Sequence, residues 1–245
     1  MKNGCILLLL LFCSYSNASN FLPCASDMSL KTLHKEAEEY AKNLDFPNQY
    51  NCLRNAASQN DASAMYKLGE LYQNKNLNLA SYIKRKEAIY WYSAANMYSE
   101  SVKTNPMSSK VTPSSKIHTA SEQKLQQLDY KSFLTCNYKM PENELNNVTR
   151  QFLEVNRTSP NDINNEQLFN CFRLIAAHNY SQTQYDIGNL ISHGVPHNGL
   201  NREYEDQYWY NWAAFNGSSA AKSYLQNQQD NLSRILNNLK NKNVQ

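Results

Sequence analysis

Apolar residues recur every three or four positions over most of the chain, a spacing that places them on one face of an α-helix. In residues 28–44, Glu38 and Glu39 fall opposite the apolar positions, which are Leu30, Leu33, Ala37, Tyr40 and Ala41. The same spacing predicts helices over 50–58, 61–72, 87–97, 141–155, 165–178, 181–191 and 202–215, with Asp61 as an N-cap residue. A closing helix over 218–241 is predicted to turn five residues inward: Ala221, Leu225, Leu232, Ile235 and Leu239. The pattern predicts an all-α fold.

Two stretches interrupt the helical pattern. Residues 73–81 are polar and predict a loop. Residues 104–120 are rich in Ser, Thr, Pro and Lys, a composition typical of a flexible connector. The connector divides the chain into an N-terminal half, 19–103, and a C-terminal half, 121–245.

One motif occurs in both halves. CLRNAASQNDASAMYKLG at 52–69 aligns without a gap on CFRLIAAHNYSQTQYDIG at 171–188, and the matched pairs include Cys52 with Cys171, Arg54 with Arg173, and Gly69 with Gly188. The chain is therefore predicted to contain two duplicated halves, each built from helix pairs.

The motif's glycines lie in the middle of a predicted helix, where glycine costs up to about 1 kcal/mol relative to alanine. Such a cost is reasonable where a neighbouring ring lies against the bare backbone. We expect Tyr92 to contact Gly69 and Tyr210 to contact Gly188. Paired alanines, such as Ala56-Ala57 and Ala176-Ala177, are expected where helices cross closely.

The first residues resemble an export signal. Lys2 supplies a positive charge, residues 6–12 are apolar, and Ser16-Asn17-Ala18 places small residues at the positions that a signal peptidase tests. The apolar run is too short for a stable anchor, and no other long apolar segment follows. We expect a bacterial signal peptide over 1–18, cleaved after Ala18, and a periplasmic or secreted protein without a membrane span.

Cleavage would leave Cys24, Cys52, Cys136 and Cys171, an even number that indicates disulfides in an exported chain. FLPC ends at Cys24 and FLTC ends at Cys136, each upstream of one motif copy, so the duplication favours Cys24–Cys52 and Cys136–Cys171. A straight intervening helix of about fifteen residues would span about 22 Å, so each upstream cysteine must fold back. Buried free thiols or a metal site are alternatives, although no C-x-x-C pair supports a metal.

Three stretches resemble Sel1-like repeats. WYNWAAFNGSSAAKSYL at 209–225 is similar to the repeat core, and LRNAASQNDASAMYKLGELY at 53–72 resembles the junction between repeats, as does IAAHNYSQTQYDIGNLISHGVP at 175–196. The resemblance places repeats at about 62–99 and 181–217. The first copy departs from the pattern, because it lacks a Gly-Val turn and has Ser99 where glycine is usual. The resemblance implies an α/α superhelix, like tetratricopeptide arrays, whose concave face binds protein or peptide.

Two aromatic trios are the candidate partner-binding residues: Tyr90-Trp91-Tyr92 and Tyr208-Trp209-Tyr210. Successive helical residues lie about 100° apart, so three in a row cannot all face one side. One residue of each trio is therefore expected to stay exposed and anchor a partner, or to cover the next helix instead.

Other chemistry has little support in the sequence. The formal net charge of +3 is too near neutral to favour nucleic acid or an anionic membrane as a partner. His193 and His197 are four residues apart, but Pro196 places them on a predicted loop, so no metal site is expected there. His178 is expected near a helix end. The sequence contains no nucleophile elbow and no phosphate-binding loop, and no catalytic residue or cofactor is predicted.

These observations favour a non-enzymatic envelope or secreted adaptor that binds another protein through a helical-repeat surface. One alternative is a periplasmic immunity or inhibitor protein that acts on a delivered toxin, and another is a virulence factor that faces host cells. A cell-wall or β-lactam-binding hydrolase is the alternative from a different class, since some cysteine-rich members of the repeat family are credited with that activity.

Overall fold

A computed structural model describes residues 23–104, 115–129, 136–158, 164–178 and 180–242, and helices joined by short loops account for them. The prediction of an all-α fold is confirmed. Residues 1–18 of the predicted signal peptide lie outside the described residues. The helices in chain order are α1 (Leu30–Lys42), α2 (Phe46–Ala57), α3 (Ala62–Gln73), α4 (Ser81–Thr104), α5 (Ser115–Gln127), α6 (Glu142–Thr158), α7 (Asn164–Ala177), α8 (Ser181–Ser192), α9 (Glu205–Phe215, after a 3-10 turn at Arg202–Tyr204) and α10 (Ser219–Lys242).

Side-chain caps fix where the first helices begin. The side chains of Ser29, Asp45 and Asp61 each accept a hydrogen bond from the backbone N–H three residues further on. Such caps satisfy donors that the first turn of a helix leaves without a partner. The prediction that Asp61 caps the third helix is therefore confirmed.

Several predicted boundaries are wrong: α2 begins at Phe46 rather than at residue 50, and α4 ends at Thr104 rather than at residue 97. The fourth helix begins at Ser81 rather than at residue 87, and residues 115–120 of the predicted connector belong to α5. Helix α5 packs along α4: Asn96 donates a side-chain hydrogen bond to the carbonyl of His118 at 3.2 Å, and Leu125 is buried. This packing stabilises a helix that the local composition does not favour. Residues 105–114 of the connector lie outside the described residues.

Both disulfides join residues of the same half. Cys24 is bonded to Cys52 and Cys136 to Cys171, with Cα atoms 4.9 and 5.2 Å apart. The chain before α1 folds back onto α2, where Asn51 and Asn55 donate hydrogen bonds to the carbonyl of Cys24 at 3.3 and 2.7 Å. The pairing is the one that the duplicated motif predicts, and the folded-back segment removes the expected geometric difficulty.

The two halves share one hydrophobic core. Helices pack in consecutive pairs within each half, and α4 also packs against α7 while α2 packs against α9. The two halves therefore pack against each other, although the predicted connector separates them along the chain. In an open superhelix each repeat contacts only its neighbours. The contact between α2 and α9 brings together residues about 150 positions apart, such as Ser58 and Tyr208, and it closes the array on itself.

The motif glycines lie against tyrosine rings, as the sequence predicts. A Cβ atom built on Gly69 would stand 2.6 Å from Cε1 of Tyr92, and one built on Gly188 would stand 2.9 Å from Cε1 of Tyr210. Both distances are too short for a real Cβ contact, so the close approach of the helices depends on glycine at these positions. The alanines Ala56, Ala57, Ala176 and Ala177 are also buried where helices meet.

We expect the substitution Gly69→Ala to lower the free energy of unfolding by about 1–3 kcal/mol, because the new methyl group overlaps the ring of Tyr92. Alanine would otherwise stabilise this helix by up to about 1 kcal/mol. Urea denaturation followed by circular dichroism measures the effect. In a Tyr92→Leu background the same substitution should cost much less. An unchanged or higher stability for Gly69→Ala alone would contradict the prediction.

The closing helix differs most from its prediction. Ala221 is buried and Leu225 is half-buried, but Leu232, Ile235 and Leu239 are exposed at 44, 56 and 53%. Helix α10 packs on α9 near its start, where the ring centroids of Tyr210 and Tyr224 are 4.0 Å apart. Every side chain from 226 to 239 is exposed. Among the described helices, none has both the length and the apolar character needed to cross a membrane.

Candidate functional site

All six residues of the aromatic trios are buried. Their exposure is 1% or less, so the prediction that one ring in each trio stays exposed to anchor a partner is wrong. The physical reason is the position of α4 and α9 between the two halves. One ring of each trio packs on the neighbouring helix of its own half, as Tyr92 does on Gly69, and other rings face an arginine of the opposite half.

A reciprocal pair of buried salt bridges joins the two halves at this place. Arg54 of α2 pairs with Glu205 of α9, Nη2 to Oε1 at 2.9 Å, and Arg173 of α7 pairs with Glu87 of α4, Nη2 to Oε2 at 2.8 Å. Arg54 and Arg173 occupy the same position in the two motif copies. Each motif arginine therefore reaches the carboxylate that belongs to the other half. We call these four residues, with the six trio aromatics, the arginine junction.

Aromatic rings surround Arg54. Its guanidinium carbon lies 4.8 Å from the ring centroid of Trp91, 5.1 Å from that of Tyr208 and 5.3 Å from that of Trp209. Its Nε and Nη1 atoms make no hydrogen bond to the described residues, and the rings stabilise the charge by cation–π attraction instead. The second carboxylate oxygen of Glu205 accepts a hydrogen bond from the hydroxyl of Tyr50 at 2.8 Å.

Arg173 makes more hydrogen bonds to its glutamate than Arg54 does. Its two terminal nitrogens donate to the two oxygens of Glu87 at 3.0 and 2.8 Å, a bidentate geometry that a lysine could not provide. Its guanidinium carbon lies 3.7 Å from the ring centroid of Tyr90. Asn198 donates a further, longer hydrogen bond to Glu87 at 3.4 Å. On both sides of the junction an arginine of one half pairs with a glutamate of the other half, but only Arg173 makes a bidentate pair.

Burial and charge set the protonation states in the arginine junction. Burial acts to raise the pKa of Glu87, but the charge and hydrogen bonds of Arg173 outweigh it and hold the pKa below its ordinary value of 4.5. Burial raises the pKa of Tyr50 well above its ordinary value, and it raises the pKa of Tyr90 to about 12. The phenols of Tyr50 and Tyr90 therefore remain protonated, and the carboxylate of Glu87 stays charged at neutral pH.

The lowered pKa of Glu87 predicts acid sensitivity. The folded-state pKa is lower than the unfolded value, so the stability that this carboxylate contributes is present above about pH 4.5 and is lost as the pH falls further. We expect the urea midpoint of the wild-type protein to fall steeply between pH 5 and pH 3. In the Glu87→Gln variant this pH dependence should be smaller. Parallel profiles for the two proteins would contradict the assignment.

The two carboxylates also have matching positions in the sequence. Glu87 stands three residues before Tyr90, and Glu205 stands three residues before Tyr208. The two glutamates therefore occupy the same position relative to the two trios, as the two arginines do in the two motif copies. A pair of matched arginines and a pair of matched glutamates together indicate salt bridges, although the sequence does not show that each bridge joins opposite halves.

A cleft beside the arginine junction is lined by both halves. Its volume is about 520 Å³, and we call it the interhalf cleft; its lining residues are Leu79, Ile83 and residues 198–203. Two hydrogen bonds tie its wall to the junction: Asn198 donates to Glu87 at 3.4 Å, and Asn201 donates to the hydroxyl of Tyr208 at 3.2 Å. The hydroxyl of Tyr72 also donates to the carbonyl of Asn198 at 2.9 Å.

A second recess lies on the N-terminal half between α1, α2 and α3. Its volume is about 290 Å³, and Ala37, Ala41, Leu53 and Leu71 contribute its apolar lining. Glu38 and Lys67, also in the lining, form a salt bridge of 3.0 Å. The hydrogen bond from Lys67 lowers the pKa of Glu38. Two of the three charged groups that line this recess, Glu38 and Lys67, therefore bind each other, and its volume is smaller than that of the interhalf cleft.

The histidines singled out in the sequence lie at the surface or in a loop. His193 ends α8, and its Nδ1 donates to the carbonyl of Asn189 at 2.7 Å. His197 is half-buried near the interhalf cleft, and burial lowers its pKa. His178 follows the end of α7 and is exposed. Within the part of the chain that the structure describes, no three His, Cys, Asp or Glu side chains are arranged to hold a metal ion.

Comparison with known proteins gives no relative. No protein-family model matches the chain, and no curated protein or solved structure matches it at a significant level.

Proposed function

We propose that this chain is an exported, Sel1-like helical-repeat protein that binds a segment of another protein in the interhalf cleft. Binding rather than catalysis would be its activity, and the periplasm or the extracellular space its location. The observation that carries the proposal is the interhalf cleft, a recess of about 520 Å³ that both halves line. Concave sites of this size commonly lie where two structural units meet.

The lining of the cleft suits a peptide with an apolar anchor. Leu79, Ile83 and Leu200 are half-buried and form an apolar floor, while Arg202 and Glu203 are exposed beside it. An apolar centre with a polar rim is the usual composition of a protein interface. The opposite charges at the rim add no strong preference for an acidic or a basic partner.

The cleft is held open by the arginine junction. Asn198 contacts Tyr72 and Glu87, and Asn201 contacts Tyr208, so residues 198–201 are fixed by buried groups. A site that is formed before the partner arrives loses less conformational entropy on binding. The proposal thus gives Glu87 and Tyr208 of the arginine junction a role as supports of the binding site.

Two further observations support an exported repeat protein. Disulfides such as Cys24–Cys52 and Cys136–Cys171 persist in oxidising compartments and are rare in reducing ones. The motif at 52–69 and 171–188 supports the duplication and the resemblance to Sel1-like repeats. The closed contact between α2 and α9 would then be a departure from the open superhelix of such arrays.

The proposal is tested by affinity capture from a periplasmic extract with the mature protein as bait. We expect Leu200→Asp to abolish capture of the partner and Ile83→Asp to weaken it at least tenfold. The matched control is Leu44→Asp, since Leu44 is 55% exposed and does not line the cleft. Melting temperatures show that the variants remain folded. A partner retained equally by Leu200→Asp and the wild type would contradict the cleft as its site.

A further inference from the structure

Four apolar side chains form a bare stripe on the second half of α10. Leu232, Ile235, Leu236 and Leu239 are exposed at 44, 56, 38 and 53%, and we call them the α10 stripe. Their spacing of three, four and seven residues places them on one face of the helix. Together they make up half of the large hydrophobic residues that are exposed in the described part of the chain.

The lack of tertiary packing around the second half of α10 indicates that another molecule covers the stripe. Every side chain from 226 to 239 is exposed, so tertiary packing does not hold this part of α10. An isolated helix of fewer than about fifteen residues is marginal in water, and most helices are stabilised by packing of an apolar face. Exposed apolar side chains that are contiguous mark a contact surface more often than isolated ones do.

We infer that the α10 stripe pairs with the same stripe of a second copy, with the two helices antiparallel. A two-fold axis between Ile235 and Leu236 would place Leu232 of one copy opposite Leu239 of the other. The central pair, Ile235 and Leu236, would then face each other. The stripe is thus complementary to itself, as an interface with two-fold symmetry requires.

Charge selects the antiparallel arrangement. Asp230 precedes the stripe and is exposed, and the sequence has lysines at positions 240 and 242 after it. An antiparallel pair brings the acidic end of one helix to the basic end of the other, whereas a parallel pair brings like charges together. Of the neighbouring positions, Asn231, Ser233, Asn237 and Asn238 are uncharged, and Arg234 is exposed. Arg234 would lie opposite Asn237 of the other copy in the antiparallel pair but opposite Arg234 in a parallel pair, which also favours the antiparallel arrangement.

The size of the stripe sets the expected affinity. Four partly exposed side chains per copy bury much less than the roughly 1,600 Å² of a standard interface. We therefore expect a weak dimer, with a dissociation constant on the order of 100 µM. This inference concerns a different surface from the interhalf cleft and is independent of the function proposed above.

Sedimentation velocity of the mature protein from 1 to 300 µM tests the inference. The wild type should change from almost entirely monomer to about two thirds dimer over this range, as a dissociation constant on the order of 100 µM requires, and Leu236→Glu should stay monomeric. Phe215→Glu is the matched control, because Phe215 is 56% exposed on α9 and lies outside the stripe; it should dimerise like the wild type. A monomer at every concentration, or a dimer that Leu236→Glu does not weaken, would overturn the inference.

A charge exchange tests the orientation. Asp230→Lys should weaken the dimer several-fold, and adding Lys240→Asp and Lys242→Asp should restore it, because the opposite charges meet again. In a parallel dimer Asp230→Lys would replace one pair of like charges with another and change the affinity little. That result would overturn the antiparallel arrangement. Coverage of the stripe by a different protein, with no self-association, would overturn the inference as a whole.

Discussion

The Glu205→Gln variant is expected to lose about 3–5 kcal/mol of its free energy of unfolding, the typical cost of breaking a buried ion pair. Arg54 is completely buried, and its one salt bridge in the described residues is to Glu205. Glutamine keeps the shape of the side chain but leaves the guanidinium charge without a counter-charge. The hydroxyl of Tyr50 also exchanges a carboxylate partner for an amide. Urea denaturation followed by tryptophan fluorescence measures the loss.

The control for this variant is Glu203→Gln, two residues earlier in the chain. Glu203 is exposed, and surface substitutions of this kind usually change stability by less than about 0.5 kcal/mol. The two variants make the same chemical change in different environments. A loss of less than 1 kcal/mol for Glu205→Gln would show that the charge of Arg54 does not depend on this pair.

Removal of the first disulfide is expected to cost about 3–4 kcal/mol, since the bond closes a loop of roughly thirty residues. Cys24 and Cys52 are both fully buried and lie 28 positions apart. The double variant Cys24→Ser, Cys52→Ser avoids a free thiol, and its melting temperature should fall by about 6–16 °C, the shift that this loss of stability produces in a domain of 150–250 residues. Non-reducing peptide mapping of the wild type should show Cys24 joined to Cys52. A Cys24–Cys136 peptide would contradict the observed pairing.

Short-range patterns in the sequence account for much of the fold. Helical spacing predicts the helices, and Asp61 is recognisable as a cap because its side chain acts within one turn. The pairing of Cys24 with Cys52 and the contact between Gly69 and Tyr92 follow from the duplication and from the cost of glycine in a helix. These features depend on residues of the same half.

The features that the sequence did not predict depend on which elements pack against one another in the folded chain. A helix pattern shows that Tyr90, Trp91 and Tyr92 cannot all face one neighbour, but it does not show that α4 has neighbours on every side. The helical pattern also identifies the apolar face that carries Leu232, but it does not show whether another element covers that face. In the structure Leu232 is exposed. Residues 115–120 form a helix because α4 packs against them, although their composition is that of a linker.

A double-mutant cycle on Arg54 and Glu205 tests most directly whether the halves are joined by reciprocal salt bridges. The variants are Arg54→Met, Glu205→Met and the double variant, and the free energy of unfolding is measured for each. Because the two side chains meet at 2.9 Å in a buried site, we expect the double variant to lose at least about 2 kcal/mol less than the sum of the single variants. Losses that add to within about 0.5 kcal/mol, as for residues that do not touch, would contradict the arginine junction.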